Sequence, residues 1–160
     1  MSFRRKSREL VIQSLYALEY EERDEYLQEL DLLNKYEEKL QIVAEENHVD
    51  TEKEIYKFAE KLLKGLLPLL SEIDDIINKH SKGWTTERIA RVDLCIMRLA
   101  VFEMVFFNTP APVVINESLE ITKKFCSETS APYINAVLDA VHHHKEVEQS
   151  NTQSESIPTE

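Results

Sequence analysis

At 160 residues the chain can bury about two-thirds of the surface of its unfolded form, which makes it one domain with a sizeable core. With glycine only at Gly65 and Gly83, among long runs of Leu, Glu and Lys, the composition disfavours tight β-hairpins and reads as all-α. A formal charge of −11 excludes a protein that coats nucleic acid with its whole surface. That charge is uneven, however. Residues 1–18 sum to +3 and residues 19–60 to −10, so the first candidate for a polyanion site is a small patch at the start.

Along the chain, RRKSRELVIQSLYALEYE over residues 4–21 predicts an amphipathic helix, with Val11, Ser14, Leu15 and Leu18 on one side and Arg5, Glu9, Gln13 and Tyr16 on the other. Basic residues at a helix N-terminus oppose the macrodipole, at a cost of a few tenths to ~1 kcal/mol each. Such a placement either serves a partner or marks a solvated arm. Residues 24–47 carry the stripe Tyr26, Leu27, Leu30, Leu33, Tyr36, Leu40 and Val43, one helix or two short ones with an acidic outer face. Its acids lack calcium-loop spacing.

Asn47 to Asp50 makes a break, and Asp50 or Thr51 is placed to cap the next helix, with Glu54 at capping-box distance from Thr51. Ile55, Phe58, Ala59, Leu62, Leu63, Leu66 and Leu67 form that helix's apolar face. Pro68 kinks or ends it, the pattern resumes to His80, and Gly83 stops it.

The stretch from Trp84 to Asp139 holds three apolar blocks. In the first, Val92, Ile96, Leu99 and Phe106 share one face while Leu94, Val101 and Val105 cover the opposite one. A helix apolar nearly all round belongs inside a protein, with the others packed about it. After a turn at Asn108 to Pro110, Pro112 fits the first turn of a helix running through Val113, Val114, Glu117, Ile121 and Phe125. Ser130 is an N-cap candidate for a last helix to about Glu146, with Pro132 in its first turn. Beyond Val147 the periodicity fades. The expectation is a domain over 1–147 and a disordered polar tail over 148–160.

Cys95 and Cys126 lie in helical patterns without CxxC spacing and read as buried thiols in a reducing cytoplasm. No apolar run suits a signal peptide or approaches the ~20 residues of a membrane span, so a cytoplasmic protein that meets no membrane is expected. His142, His143 and His144 point about 100° apart on a helix and cannot all face one ion, so no metal site is assigned. Without a Gly-rich phosphate loop, GxSxG or HExxH, the chain offers no catalytic residue and no cofactor site.

Glu103 falls on the Val92, Ile96, Leu99 stripe, where its carboxylate is either buried with a donor or turned to a partner protein. Asn116, Glu117 and Asn135 stand inside apolar blocks as candidates for hydrogen bonds between helices. Tyr16 and Tyr133 each offer a ring near basic residues, the arrangement that holds single-stranded bases by stacking, worth ~1 to 3 kcal/mol per base.

RRKSRELVIQSLY, RVDLCIMRLAVFEM, PVVINESLEITKKF and YINAVLD, in this order from Arg4 to about Asp139, resemble the NusB family of bacterial transcription antitermination factors. The resemblance implies an all-α fold of two packed helical bundles around a buried central helix. It also implies a non-enzymatic adaptor, monomer or homodimer. Such an adaptor binds single-stranded boxA RNA of ribosomal RNA leader transcripts jointly with NusE, a small-subunit ribosomal protein. Together they act on the RNA polymerase elongation complex with other Nus factors.

Carried over residue by residue, the family's basic start falls on Arg4, Arg5, Lys6 and Arg8, and its next RNA-facing positions on Gln13 and Tyr16. The loop holding Thr129, and Tyr133 after it, complete that RNA surface. Asp93 and Glu103 fall where partner contacts are implied. The chain departs from the family pattern at Ala136 and Cys126, where glycine is usual, and at Pro132, where a polar or basic residue is common. These change the shape and charge around Tyr133. Two other readings fit the same helices: an RNA-binding domain related to ribosomal RNA cytosine methyltransferases, which calls for a catalytic domain after it, and a protein-only module docking a basic ribosomal protein.

Overall fold

The computed structural model describes residues 3–19 and 29–155, and among them there are helices and no strands. The helices are α1 (Phe3–Glu19), α2 (Glu29–Glu46), α3 (Glu54–Leu66), α4 (Leu70–His80), α5 (Arg91–Val101), α6 (Ala111–Phe125) and α7 (Ser130–Glu155). The sequence-predicted positions Tyr26 and Leu27 lie outside the described residues, as do the side chains of Leu30 and Leu33 and all of residues 156–160.

Helices α1, α2 and α3 pack on one another as one bundle, and α4 to α7 form a second. The two share α5, which touches α1, α4, α6 and α7. Every residue of α5 from Asp93 to Val101 is buried, which the all-round apolar pattern requires. Each fully buried Leu or Ile contributes about 1.5–3 kcal/mol relative to an exposed one. The resulting core runs without a break from Leu10 and Val11 on α1, through Leu62 and Leu63 on α3 and Leu94 and Met97 on α5, to Ile134 and Leu138 on α7.

Pro68 divides α3 from α4 through a single 3-10 turn, Leu67–Leu69. Without an N–H, and with its ring against the preceding turn, proline cannot carry the α-helical ladder onward. Asn108 takes φ 57° in the turn before α6, a left-handed conformation that Asn tolerates. Pro112 sits in the first turn of α6, where no backbone donor is lost.

Between α5 and that turn the helix widens into a π turn, Phe102–Phe106, closed by Phe107 N–H donating to the Phe102 carbonyl at 3.1 Å. The Phe102 ring lies so close to α3 that a Cβ built on Gly65 would stand 2.8 Å from Phe102 Cζ, so glycine is needed there for the two helices to approach.

Three local expectations are corrected. No side chain caps α3: Lys53 precedes it, and Asp50 Oδ1 instead accepts the Glu52 N–H at 3.1 Å in a turn of its own. Ser130 opens α7, but its hydroxyl donates to Asp93 Oδ1 at 3.0 Å. The segment expected to be a disordered tail continues α7 as far as Glu155. No Gly or Pro interrupts the chain between Pro132 and Pro158. The extension also carries i,i+4 contacts, His142 with Glu146 at 3.3 Å and His144 with Glu148 at 3.1 Å. A helix surface needs no apolar stripe where nothing packs against it.

Candidate nucleic-acid interface

The energetic penalty of a basic helix start is met on α1 by pairing each base with a group from elsewhere. Arg5 donates from Nε and Nη2 to Glu117 on α6 at 2.6 and 3.0 Å. Lys6 Nζ donates to Asn47 Oδ1 at 2.9 Å and stands 3.8 Å from Glu9. The Arg4 guanidinium lies 5.1 Å over the Phe58 ring and is exposed.

Arg8 differs from these. It is 4% exposed and donates from Nε and Nη2 to both oxygens of Glu103, itself 1% exposed, at 2.8 Å each. The expectation that Arg8 meets RNA phosphate and Glu103 a partner protein is therefore corrected: the two residues face each other inside the domain. The π turn carries Glu103 to that position, and Thr109 steadies it with a backbone N–H to its carbonyl at 2.9 Å and a hydroxyl to Oε1 at 3.3 Å. A carboxylate and a guanidinium buried together need this bidentate geometry to offset their lost hydration.

Next along α1, Glu9 is buried and accepts Lys124 Nζ from α6 at 3.1 and 3.2 Å, while Gln13 Oε1 accepts from Asn47 Nδ2 at 2.8 Å. Asn47 thus holds both Lys6 and Gln13 against the end of α2. Tyr16 is exposed. The ion pairs clasp α1 to α6, and α6 runs straight into the corner that holds Thr129 and Tyr133. Thr129 is exposed, 3.0 Å from the Ser127 hydroxyl. Tyr133 is half-buried, with ring surface remaining accessible. Of the residues expected to knit helices, Glu117 does so through Arg5, whereas Asn116 faces solvent.

Behind the corner lies a pocket of about 250 Å³, lined among others by Trp84, Arg88, Asp93, Thr129, Ser130 and Tyr133. Asp93 is 8% exposed, so the partner contact expected of it is confined to what enters this pocket. Burial, and then its hydrogen bond to Asp93, push the Cys126 thiol up to about 12. Burial, and then the Asp93 charge, also raise Tyr133. The Tyr133 hydroxyl has no hydrogen-bond partner among the described residues. Both cysteines are free thiols.

On the outer side, the hydrogen bond from Arg5 holds the Glu117 carboxyl below its ordinary 4.5. A carboxyl depressed in the folded chain stabilises it fully above the unfolded value and ceases to do so as pH falls through the depressed one. Glu117→Gln is therefore expected to flatten the fall of Tm on acidification below about pH 4.5. Melting curves of the two proteins across that range check this, and parallel curves would contradict it.

Four features escaped sequence reasoning: Lys124 against Glu9, the Trp84 and Arg88 side of the pocket, Glu117 as partner of Arg5 in particular, and an interior network on Arg98. Arg98 donates to both oxygens of Asp74 at 2.8 and 2.9 Å and also to Glu19. The only signal available was local, a Glu on the outer stripe of α1 and two lysines ending α6.

No helix among the described residues is long and apolar enough to cross a membrane. No group of three or more His, Cys, Asp or Glu among them is placed to hold a metal.

The model of the NusB family matches residues 5–143. A transcription antitermination protein NusB of Geobacter sp. (strain M21) is 37% identical over 142 residues, covering 88% of this chain and 94% of its own. One of Koribacter versatilis is 39% identical over 139 residues, covering 86% and 87%. Among solved structures, a crystal structure of antitermination factors NusB and NusE in complex with double-stranded RNA superposes with TM-score 0.75 at 26% identity, over 90% of this chain and 98% of the other.

Proposed function

Because the chain belongs to the NusB family, we propose that it is a transcription antitermination factor whose α1, α6 and 127–133 face binds boxA RNA. It does so together with a NusE-type ribosomal protein, in the cytoplasm and without catalysis. The observation that carries this reading is the family match across nearly all of the helical domain, joined to a structural counterpart complexed with NusE and RNA.

The mechanism follows from the groups that line this face. Arg4, Lys6, Lys123 and Lys124 neutralise phosphates, with Arg5 reaching them at the edge of its Glu117 pair. The rings of Tyr16 and Tyr133 stack on bases of an unpaired strand, and Gln13 and Thr129 hydrogen-bond base edges. Lys123 and Lys124 are exposed at the end of α6, where cations also complement the helix dipole. So few cations, on a chain of net charge −11, make RNA binding by the protein alone modest. The ribosomal protein adds its own contacts at high effective concentration. The joint complex then holds the nascent transcript on the RNA polymerase elongation complex with other Nus factors and suppresses premature termination.

Salt titration of RNA binding tests which cations touch phosphate. Arg4→Ala/Lys6→Ala is expected to lower the slope of log K against log [salt] by about 2, one per lost phosphate contact, while Arg8→Ala leaves the slope unchanged. An unchanged slope in the double variant would remove the α1 start from the interface.

A further inference from the structure

We propose that the pocket bounded by Trp84, Asp93 and Tyr133 receives one base of the bound strand and selects cytosine or adenine over uracil; this rests on the RNA-binding reading above. Three observations converge on it. First, the pocket's volume of about 250 Å³ is far more than the ~30 Å³ share of a water and short of the ~300–1,000 Å³ of pockets for drug-sized ligands, which suits a single ring system.

Second, its walls supply aromatic surface: Trp84 is 54% exposed, an unusual state for the chain's one tryptophan, and Tyr133 is half-buried beside it in the lining. Exposed indole is costly unless something covers it, and bases stack on such rings. Arg88 is exposed on the same lining, in place for the phosphate that follows an inserted base.

Third, the polar groups in the pocket are incomplete. The Tyr133 hydroxyl is buried and unpartnered. Asp93, with Oδ1 taken by Ser130, keeps acceptor capacity on a carboxylate that has four lone-pair sites. An unpartnered hydroxyl beside an acceptor-only carboxylate complements a base edge that carries an amino group next to an acceptor ring nitrogen. Cytosine has that edge in N4–H₂ and N3, and adenine in N6–H₂ and N1. Uracil presents a carbonyl where the amino group would be and a ring N–H where the acceptor would be, so its carbonyl would meet the carboxylate acceptor to acceptor. Leaving buried polar groups unpaired is what makes such a site discriminate.

Position also favours a base over a protein side chain. Thr129 and Tyr133 belong both to the pocket and to the corner reached from α1 through α6, so a strand lying along that face passes the pocket mouth.

The full chain titrated with five-nucleotide homopolymers of cytidine, adenosine and uridine tests this. Trp84 fluorescence reports the pocket, and anisotropy of labelled oligomers reports binding anywhere. The cytidine and uridine oligomers have equal ring size, so their ratio isolates hydrogen bonding from stacking. The expected result is Trp84 quenching by the cytidine oligomer with Kd about fivefold below that of the uridine oligomer, the worth of one hydrogen bond. Tyr133→Phe is expected to bring that ratio close to 1 and to leave salt-dependent RNA binding in place. Tm should hold or rise, because the variant removes an unpartnered buried hydroxyl.

RNA binding by anisotropy with no Trp84 response, or with equal affinities in the wild type, would overturn the pocket and leave the RNA-binding face standing. No binding by either readout would overturn both. Quenching by a NusE-type protein alone, with no dependence on base, would assign the pocket to a protein side chain instead.

Discussion

Arg8→Ala is expected to destabilise the chain by about 3–5 kcal/mol, the cost of breaking a buried ion pair by removing one partner. That is a large part of the ~5–15 kcal/mol that holds a typical domain together. The loss comes less from missing attraction than from Glu103, which is 1% exposed and would be left charged with only the Thr109 hydroxyl, 3.3 Å away, as donor. Replacing both residues by apolar side chains of similar volume, Arg8→Met with Glu103→Leu, should recover most of the loss, because no charge is then stranded. Urea unfolding of the single and double variants checks this. Equal destabilisation of the two would contradict the pairing, and so would a weaker salt slope in Arg8→Ala at conditions where it is fully folded.

Arg98→Ala is expected to cost ~2–4 kcal/mol, slightly less, because its partners keep some solvent. Asp74 and Glu19 retain 23% and 11% of their side-chain surface, and Arg91 remains 3.5 Å from Glu19. The guanidinium joins three helices at one point, the end of α1, α4 and α5. Burial opposes its charge, and the hydrogen bonds to Asp74 and Glu19 outweigh that and raise its pKa. Arg98→Lys should restore only part of the stability, since a point-charge ammonium cannot span two oxygens of Asp74 while also reaching Glu19. A lysine variant as stable as wild type would show that charge alone suffices there.

The helical scaffold was legible because apolar periodicity encodes it directly. The all-round apolar pattern from Val92 to Val105 identified α5 as the interior helix, and Pro68 and Gly83 marked breaks that the structure has. The pairings were not legible. Arg8 and Glu103 are 95 residues apart, and nothing in the local pattern distinguishes an arginine that seeks phosphate from one that seeks a buried carboxylate. The π turn that brings Glu103 inward has no sequence signature of its own, since the same residues would also fit an ordinary α-helix. The extension of α7 to Glu155 was missed because an exposed helix held by i,i+4 pairs lacks the apolar stripe on which the reading depends. Trp84 read as the edge of an apolar block, and only the three-dimensional arrangement sets it beside Asp93 and Tyr133.

That arrangement also reorders the basic start. Arg8 is structural, Arg5 is shared with Glu117, and Arg4 and Lys6 remain at the edge with Lys123 and Lys124 from the end of α6. A cationic patch assembled from two helices in this way depends on the clasp between α1 and α6.

The most direct measurement is the affinity of the purified chain for boxA RNA against a scrambled RNA of the same length and composition, with and without a NusE-type ribosomal protein. Preference for boxA that is modest alone and strengthens when the ribosomal protein is added is the predicted result. Equal binding of the two RNAs, with the ribosomal protein present, would contradict it.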